Sequence, residues 1–301
     1  MAAMQQLIEL RALIARHATG GSRRTPISGL TLKAVFKPTE PIHSIDEPVF
    51  AVVVQGAKRT VLADRVFEYR AGHFLVASVE LPVSSCVIQA SEKAPFMGLG
   101  LTLKPELIAS VLLETPSADA GVVERLGFDV SEAPAELLDA VVRLLRLLDR
   151  PSDIAVLRPL IEREIIWRLL CSEQGEMVRQ IGLADSRLSR IRRAIGWIRE
   201  RYAQPLEIEA LARQAAMSPT SFHRHFRAAT AMSPLQFQKQ IRLQQARSRL
   251  MTNGADVARV GFSVGYDSPS QFSREYARFF GAPPGRDAAR LRAAVSQLAE
   301  E

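Results

Sequence analysis

The chain has 301 residues, long for one compact core and suited to two domains. Hydrophobic residues make up 47% and charged residues 24%, and no apolar run approaches the roughly 20 residues of a membrane span, which excludes a disordered or membrane-spanning chain. The net charge of +7 is unevenly divided. Residues 187–292 carry 19 Lys and Arg against 7 Asp and Glu, and the remainder 20 against 25, so a basic part suited to a polyanion is joined to an acidic one.

In chain order, residues 1–16 place Leu7, Ile8, Leu10, Leu13 and Ile14 among Glu9, Arg11 and Arg16. This is an amphipathic helix without a signal peptide's apolar centre, so a cytoplasmic location is expected. Short apolar runs follow at 30–36, 49–54, 59–62, 73–79, 84–89 and 96–103, broken by Gly, Pro and charge, with turn-like segments at 55–57 and 70–72. Six or more short strands in succession predict an all-β sandwich or jelly-roll barrel. Phe36, His43, Tyr69, His73 and Cys86 are the candidates to line an effector pocket in it.

Chemistry of other kinds has little support. Cys86 and Cys171 are far apart and lack zinc-ligand spacing, so buried thiols are expected. Beyond His17 this half offers only His43 and His73, with no His-x-His pair, too few ligands for a metal-dependent barrel enzyme. Neither a nucleophile elbow, a phosphate loop nor a dinucleotide fingerprint occurs, so no catalytic residue, metal or cofactor is expected.

A helix at 134–148 places Leu137, Val141, Leu144 and Leu148 close to a coiled-coil seam, the candidate homodimer interface. A second helix is expected at 159–170, then a linker at 174–186 that holds two glycines.

The last third contains a repeat. A shift of 50 positions places Ser218, Pro219, Phe222, Arg224, Phe226 and Pro234 on Ser268, Pro269, Phe272, Arg274, Tyr276 and Pro284. Each copy reads as helix, turn, helix, at about 206–228 and 257–279. Ser218 and Ser268 are N-caps and the prolines after them occupy the first helical position, where a missing N–H costs nothing. Phe222, Phe226 and Ala229, like Phe272, Tyr276 and Phe279, are spaced i, i+4, i+7 and form a buried stripe. The opposite face carries Thr220, Ser221, His223, Arg224 and Arg227 in the first copy, and Ser270, Gln271, Arg274 and Arg278 in the second. Arginine pairs bidentately with guanine, glutamine with adenine, and hydroxyls reach bases or phosphates. A helix at 234–250, about 25 Å long, joins the two copies.

The run VGYDSPSQFSREY at 264–276, followed by Phe280, Gly281 and Pro284, resembles the C-terminal signature of the AraC/XylS family of bacterial transcription regulators. The likeness covers about 188–292 and implies base or backbone contacts from Thr220, His223, Arg224, Pro269, Ser270 and Arg274. Gly285, Arg286 and Asp287 stand where many members carry an aromatic-arginine pair, which leaves the packing of the last helix open. Segments 54–58, 69–72 and 78–82 resemble the cupin-like sensor domain of one AraC-type subgroup, which implies ligand sensing or dimerisation.

The expectation is therefore an α+β chain of two domains. The first, 1–185, is a cupin-like barrel with flanking helices; the second, 188–293, is an all-α double helix-turn-helix. Such a chain is a non-enzymatic regulator that binds double-stranded promoter DNA, responds to a small-molecule effector and forms a homodimer, with RNA polymerase as a further candidate partner. A barrel enzyme tethered to DNA and an architectural DNA binder without an effector are the alternatives.

Overall fold

The computed structural model describes residues 2–18, 21–115, 126–184, 186–253 and 256–300. The chain divides into two compact units, residues 1–192 with 224–231 and residues 193–223 with 232–301.

The N-terminal part opens with α1 (Ala2–His17), then runs β1 (Gly21–Arg24), β2 (Leu30–Val35), β3 (Ile42–Asp46), β4 (Val49–Gln55), β5 (Ala57–Leu62), β6 (Arg65–Arg70), β7 (His73–Ala77), β8 (Leu81–Gln89) and β9 (Phe96–Thr102). After α2 (Pro105–Leu113) a last strand, β10 (Phe128–Glu132), precedes α3 (Ala135–Arg146), α4 (Ile154–Leu170) and α5 (Gly175–Gly182). The strands form two antiparallel sheets, ordered β1-β2-β9-β4-β7-β10 and β3-β8-β5-β6.

Two-residue alternation assigns each face of the larger sheet a different duty. Leu30, Leu32, Phe50, Val52, Phe74, Val76, Leu99 and Leu101 are buried in one apolar cluster with Leu10, Leu13 and Ile14 of α1 and Leu137, Val141 and Leu144 of α3. Each such side chain contributes about 1.5–3 kcal/mol when fully buried. The alternate residues Thr31, Lys33, Val49, Ala51, Gly98 and Gly100 face a cavity whose other wall carries Ile45 of β3, Lys58 of β5 and Tyr69 of β6.

Three expectations change in this half. The seam of α3 does not reach the surface: Leu137, Val141 and Leu144 have no solvent exposure and Leu148 only 8%, because α1 and α4 pack over them. The expected 134–148 homodimer face is spent on the chain's own core. The expected linker at 174–186 is largely the helix α5, whose Met177, Val178 and Ile181 are buried and which packs on α2; its two glycines begin and end a helix. The helix expected from 159 begins at Ile154 and holds Pro159 in its second turn.

The C-terminal part is all helical: α6 (Arg187–Glu200), α7 (Ile208–Gln214), α8 (Pro219–Thr230), α9 (Pro234–Asn253), α10 (Val257–Ser263), α11 (Pro269–Phe280) and α12 (Pro284–Glu300). Chain chemistry sets their starts. Ser218 Oγ accepts from the Ser221 N–H and Ser268 Oγ from the Gln271 N–H, each at 3.3 Å. Asp256 caps α10 by accepting from the Arg259 N–H at 3.1 Å. At α9, Ser233 and Gln236 form a reciprocal capping box, with Ser233 Oγ accepting from the Gln236 N–H at 3.2 Å and Gln236 Oε1 from the Ser233 N–H at 2.9 Å.

Candidate nucleic-acid interface

Helices α7 and α8 form one helix-turn-helix and α10 and α11 the second, joined by α9. Phe222, Phe226, Phe272 and Tyr276 have no solvent exposure and Ala229 has 4%, so these positions of the stripes are core as their spacing requires, while Phe279 at the end of the second is half-buried. The opposite faces are presented. Thr220, His223, Arg224, Arg227, Ser270, Gln271, Arg274 and Arg278 are exposed, while Ser221 and Pro269 are half-buried where the helices begin. Arg224 Nη2 lies 3.3 Å from His225 Nε2. Among the described residues none pairs with Arg274 or Arg278. The first turns of α11 therefore present a hydroxyl, an amide and a guanidinium within the five residues 270–274, a set able to read base edges.

The turn of the second unit is set by Gly265, whose φ is +93° and where a Cβ would lie 2.2 Å from the carbonyl oxygen of Ala203. Only glycine supplies both the left-handed backbone and that close approach. The clamp beside it was not read from the sequence. Arg242 of α9 donates from Nε to the Tyr202 carbonyl at 2.7 Å, from Nη1 to that of Gly265 at 2.6 Å and from Nη2 to that of Gln204 at 2.9 Å. One guanidinium so ties α9 to the end of α6 and to the turn before α11. Burial pulls its pKa down, against the pull of Tyr266, Asp267 and Glu275 nearby.

A second anchor settles the packing of the last helix. Asp287 is fully buried; its Oδ2 accepts from Arg247 Nε at 2.8 Å and from the Tyr276 hydroxyl at 2.9 Å, and its Oδ1 from Arg247 Nη2 at 3.1 Å and Arg290 Nη2 at 3.2 Å. The Arg247 guanidinium also lies 4.5 Å over the ring of Phe280. Burial alone would raise the Asp287 pKa, but the hydrogen bonds from Arg247 and Tyr276 outweigh it and hold the carboxyl below its ordinary range. The departure at 285–287 is thus a polar lock joining α9, α11 and α12.

In the N-terminal part the cavity between the sheets measures 570 Å³. Its walls combine Val49, Ala51, Val53, Leu75 and Phe96 with Lys33, Lys58, Arg24 and Glu47. Of the five pocket candidates, only Tyr69 lines it. The Tyr69 hydroxyl and Ser85 Oγ each lie 2.8 Å from Thr60 Oγ1, a buried polar group of three strands. The others are placed elsewhere. Phe36 follows the end of β2 and is 46% exposed, and His43 is half-buried on β3. His73 opens β7 with its Nδ1 at 3.1 Å from the Arg70 carbonyl. Cys86 sits between the buried Ser85 and Val87, so alternation turns it to the other face of β8. Cys171 is exposed, not buried as expected. Among the described residues no group of three or more His, Cys, Asp or Glu is placed to hold a metal, and no helix is long and apolar enough to cross a membrane.

A doubled helix-turn-helix with basic outward faces, following a two-sheet domain with an open cavity between its sheets, defines a DNA-binding regulator architecture. Residues 26–177 match the AraC-type transcriptional regulator N-terminus and residues 211–298 a helix-turn-helix domain, and the chain belongs to the AraC-type transcriptional regulators. It is 28% identical over 158 residues to the transcriptional activator RhaS of Escherichia fergusonii, covering 50% of this chain and 56% of RhaS. It is 33% identical over 82 residues to the transcriptional regulator GlxA of Rhizobium meliloti, 27% of this chain and 25% of GlxA. The chain thus spans just over half the length of the RhaS relatives it matches. The structure of unsaturated fatty acid-bound ToxT from Vibrio cholerae aligns with a TM-score of 0.53 at 8% identity, covering 88% of this chain and 97% of ToxT, a likeness of fold.

Proposed function

We propose that this chain is a sequence-specific, non-enzymatic regulator of transcription that binds promoter DNA through a module at 188–293 and senses a small molecule through a domain at 1–185. The carrying observation is the pair of recognition helices, α8 and α11, each presenting arginine and hydroxyl groups opposite a buried aromatic stripe. Thr220, Ser221, His223, Arg224 and Arg227 serve the first groove segment, and Pro269, Ser270, Gln271, Arg274 and Arg278 the second. The chain works in the cytoplasm, where RNA polymerase is its further partner.

The effector site of this reading is the 570 Å³ cavity, whose walls are largely apolar and carry two lysines, Lys33 and Lys58, a lining that suits an amphipathic carboxylate. The fatty acid bound to ToxT supports that class. An effector acts only through different affinities for DNA-competent and incompetent arrangements. The test is to sequence genomic fragments retained by the protein with and without a fatty acid. A shared operator whose occupancy changes with the ligand is expected; fragments without a common motif overturn the reading.

A second copy of the chain is proposed to dock on α4 in place of the seam on α3. Val156, Leu160 and Trp167 share one helical face at i, i+4 and i+11 and are 68%, 61% and 42% exposed. The adjoining groove carries charges of both signs, Arg146 and Arg150 with Asp149 and Asp153, of which Arg146 is paired to Glu9 and Asp149 to Arg16 within the chain. Sedimentation of the paired substitution Leu160→Glu and Trp167→Glu should give a monomer with an unchanged circular dichroism spectrum. An unchanged sedimentation coefficient refutes this face.

A further inference from the structure

We infer that Glu275 sets the base preference of α11 by fixing the amide of Gln271; this rests on reading the exposed face of α11 as the DNA-reading face. The two residues are one helical turn apart, and Gln271 Nε2 lies 3.4 Å from Glu275 Oε1. An ionised carboxylate is an acceptor only, so it admits the NH2 end of the amide and repels the carbonyl end. The amide then has one orientation. Its carbonyl oxygen and second N–H remain outward, side by side, the complement of the N7 acceptor and N6 donor of adenine.

Glu275 holds still because it is held from two other elements. Tyr266, in the turn before α11, donates its hydroxyl to Glu275 Oε2 at 2.9 Å, and Lys239 of α9 places Nζ 3.1 Å from Oε1. Burial and the neighbouring carboxylate push the Tyr266 pKa up, so the hydroxyl stays a donor. Burial would raise the Glu275 pKa, but Lys239 and Tyr266 overcome it and keep the group ionised. Lys239 also offsets a negative charge that would otherwise stand near the DNA phosphates. Glu275 is therefore a positioning residue, and the helix between the two readers is wired to what the second one reads.

Operators are first selected by the full-length protein from a randomised duplex library, and every single base-pair variant of the selected site is then titrated. Gln271→Ala should abolish an adenine preference of about tenfold at one base pair. Glu275→Gln, which admits either end of the Gln271 amide, should remove most of the same preference, leave the other base pairs unchanged and lower the melting temperature by only a few degrees, as losing the partly exposed ion pair to Lys239 requires. Tyr266→Phe, which keeps the ring packed 5.3 Å from Phe272, should weaken the same preference in part. The Gln271→Ala, Glu275→Gln double substitution should match Gln271→Ala alone. The inference falls, with the reading face intact, if Glu275→Gln leaves the preference as it was, weakens all base pairs evenly, or changes preference in the Gln271→Ala background. If Gln271→Ala alters no base preference, the assignment of Gln271 to the reading face falls as well.

Discussion

Replacing Asp287 with alanine is expected to cost the C-terminal module about 3–5 kcal/mol, the scale for breaking a buried ion pair from one side. The loss exceeds that of the contacts themselves. Arg247, whose side chain is 15% exposed, keeps its charge with no carboxylate to meet it, and the Tyr276 hydroxyl, buried with its ring, loses its acceptor. Asp287→Asn keeps the volume and one acceptor but removes the charge, and falls between alanine and the native residue. Denaturant unfolding of the full chain, followed by circular dichroism, measures both. The pH dependence follows from the depressed pKa of Asp287. The stabilisation is fully present above the ordinary carboxylate pKa of about 3.9 and is lost as pH falls through the lower folded value. Acid titration of the native protein and of Asp287→Asn should therefore converge at low pH. Parallel curves across the acid range would remove Asp287 from the lock.

Arg224→Ala and Arg274→Ala should each weaken specific binding by about 1–3 kcal/mol, a loss concentrated at one base pair. Both side chains are exposed in the first two turns of α8 and α11, the turns that the proposed reading sets against base edges. Arg227 and Arg278 lie three and four residues further along. Their replacement should instead weaken all sequences alike and lower the salt slope by about 1 each, as expected for phosphate contacts. Titrations of operator and unrelated duplex at several salt concentrations separate the two behaviours. If Arg224→Ala and Arg274→Ala both footprint like the native protein, the reading face lies elsewhere.

These two effects differ in how far they were legible. The arginines were readable because helical periodicity, a Ser-Pro start and a repeat at a fixed offset are local signals, and local signals survive in a one-dimensional string. Glu275 was half-legible: its spacing from Gln271 is one turn, but its partners Tyr266 and Lys239 come from a turn and another helix. Asp287 was noticed only as a departure from the family pattern. Nothing near it in sequence indicates that Arg247, forty positions earlier, closes on both its oxygens.

In the N-terminal half the strands with the longest apolar runs were legible, whereas β1, β3, β6 and β10 were not. β10 is five residues long and pairs with β7, some fifty positions away. Four of the five pocket candidates lie away from this cavity for a related reason, Tyr69 being the one that lines it. Residue type suggests what a side chain does in a pocket, but strand register decides which face it takes, and one residue of register moves it to the other side. The seam on α3 failed because an apolar stripe has the same spacing whether it meets a second chain or the chain's own α1 and α4.

The charge division, the succession of strands and then helices, the doubled helix-turn-helix and the side chains on its outward faces are all written locally in the chain. These follow from backbone periodicity and capping, which act within a few residues. Tertiary packing set which apolar faces are spent internally, which residues line the cavity, and how Arg242, Glu275 and Asp287 hold the helices that carry the exposed faces of α8 and α11. Those depend on groups brought together from distant positions, where burial makes each unmet charge costly and each met one specific.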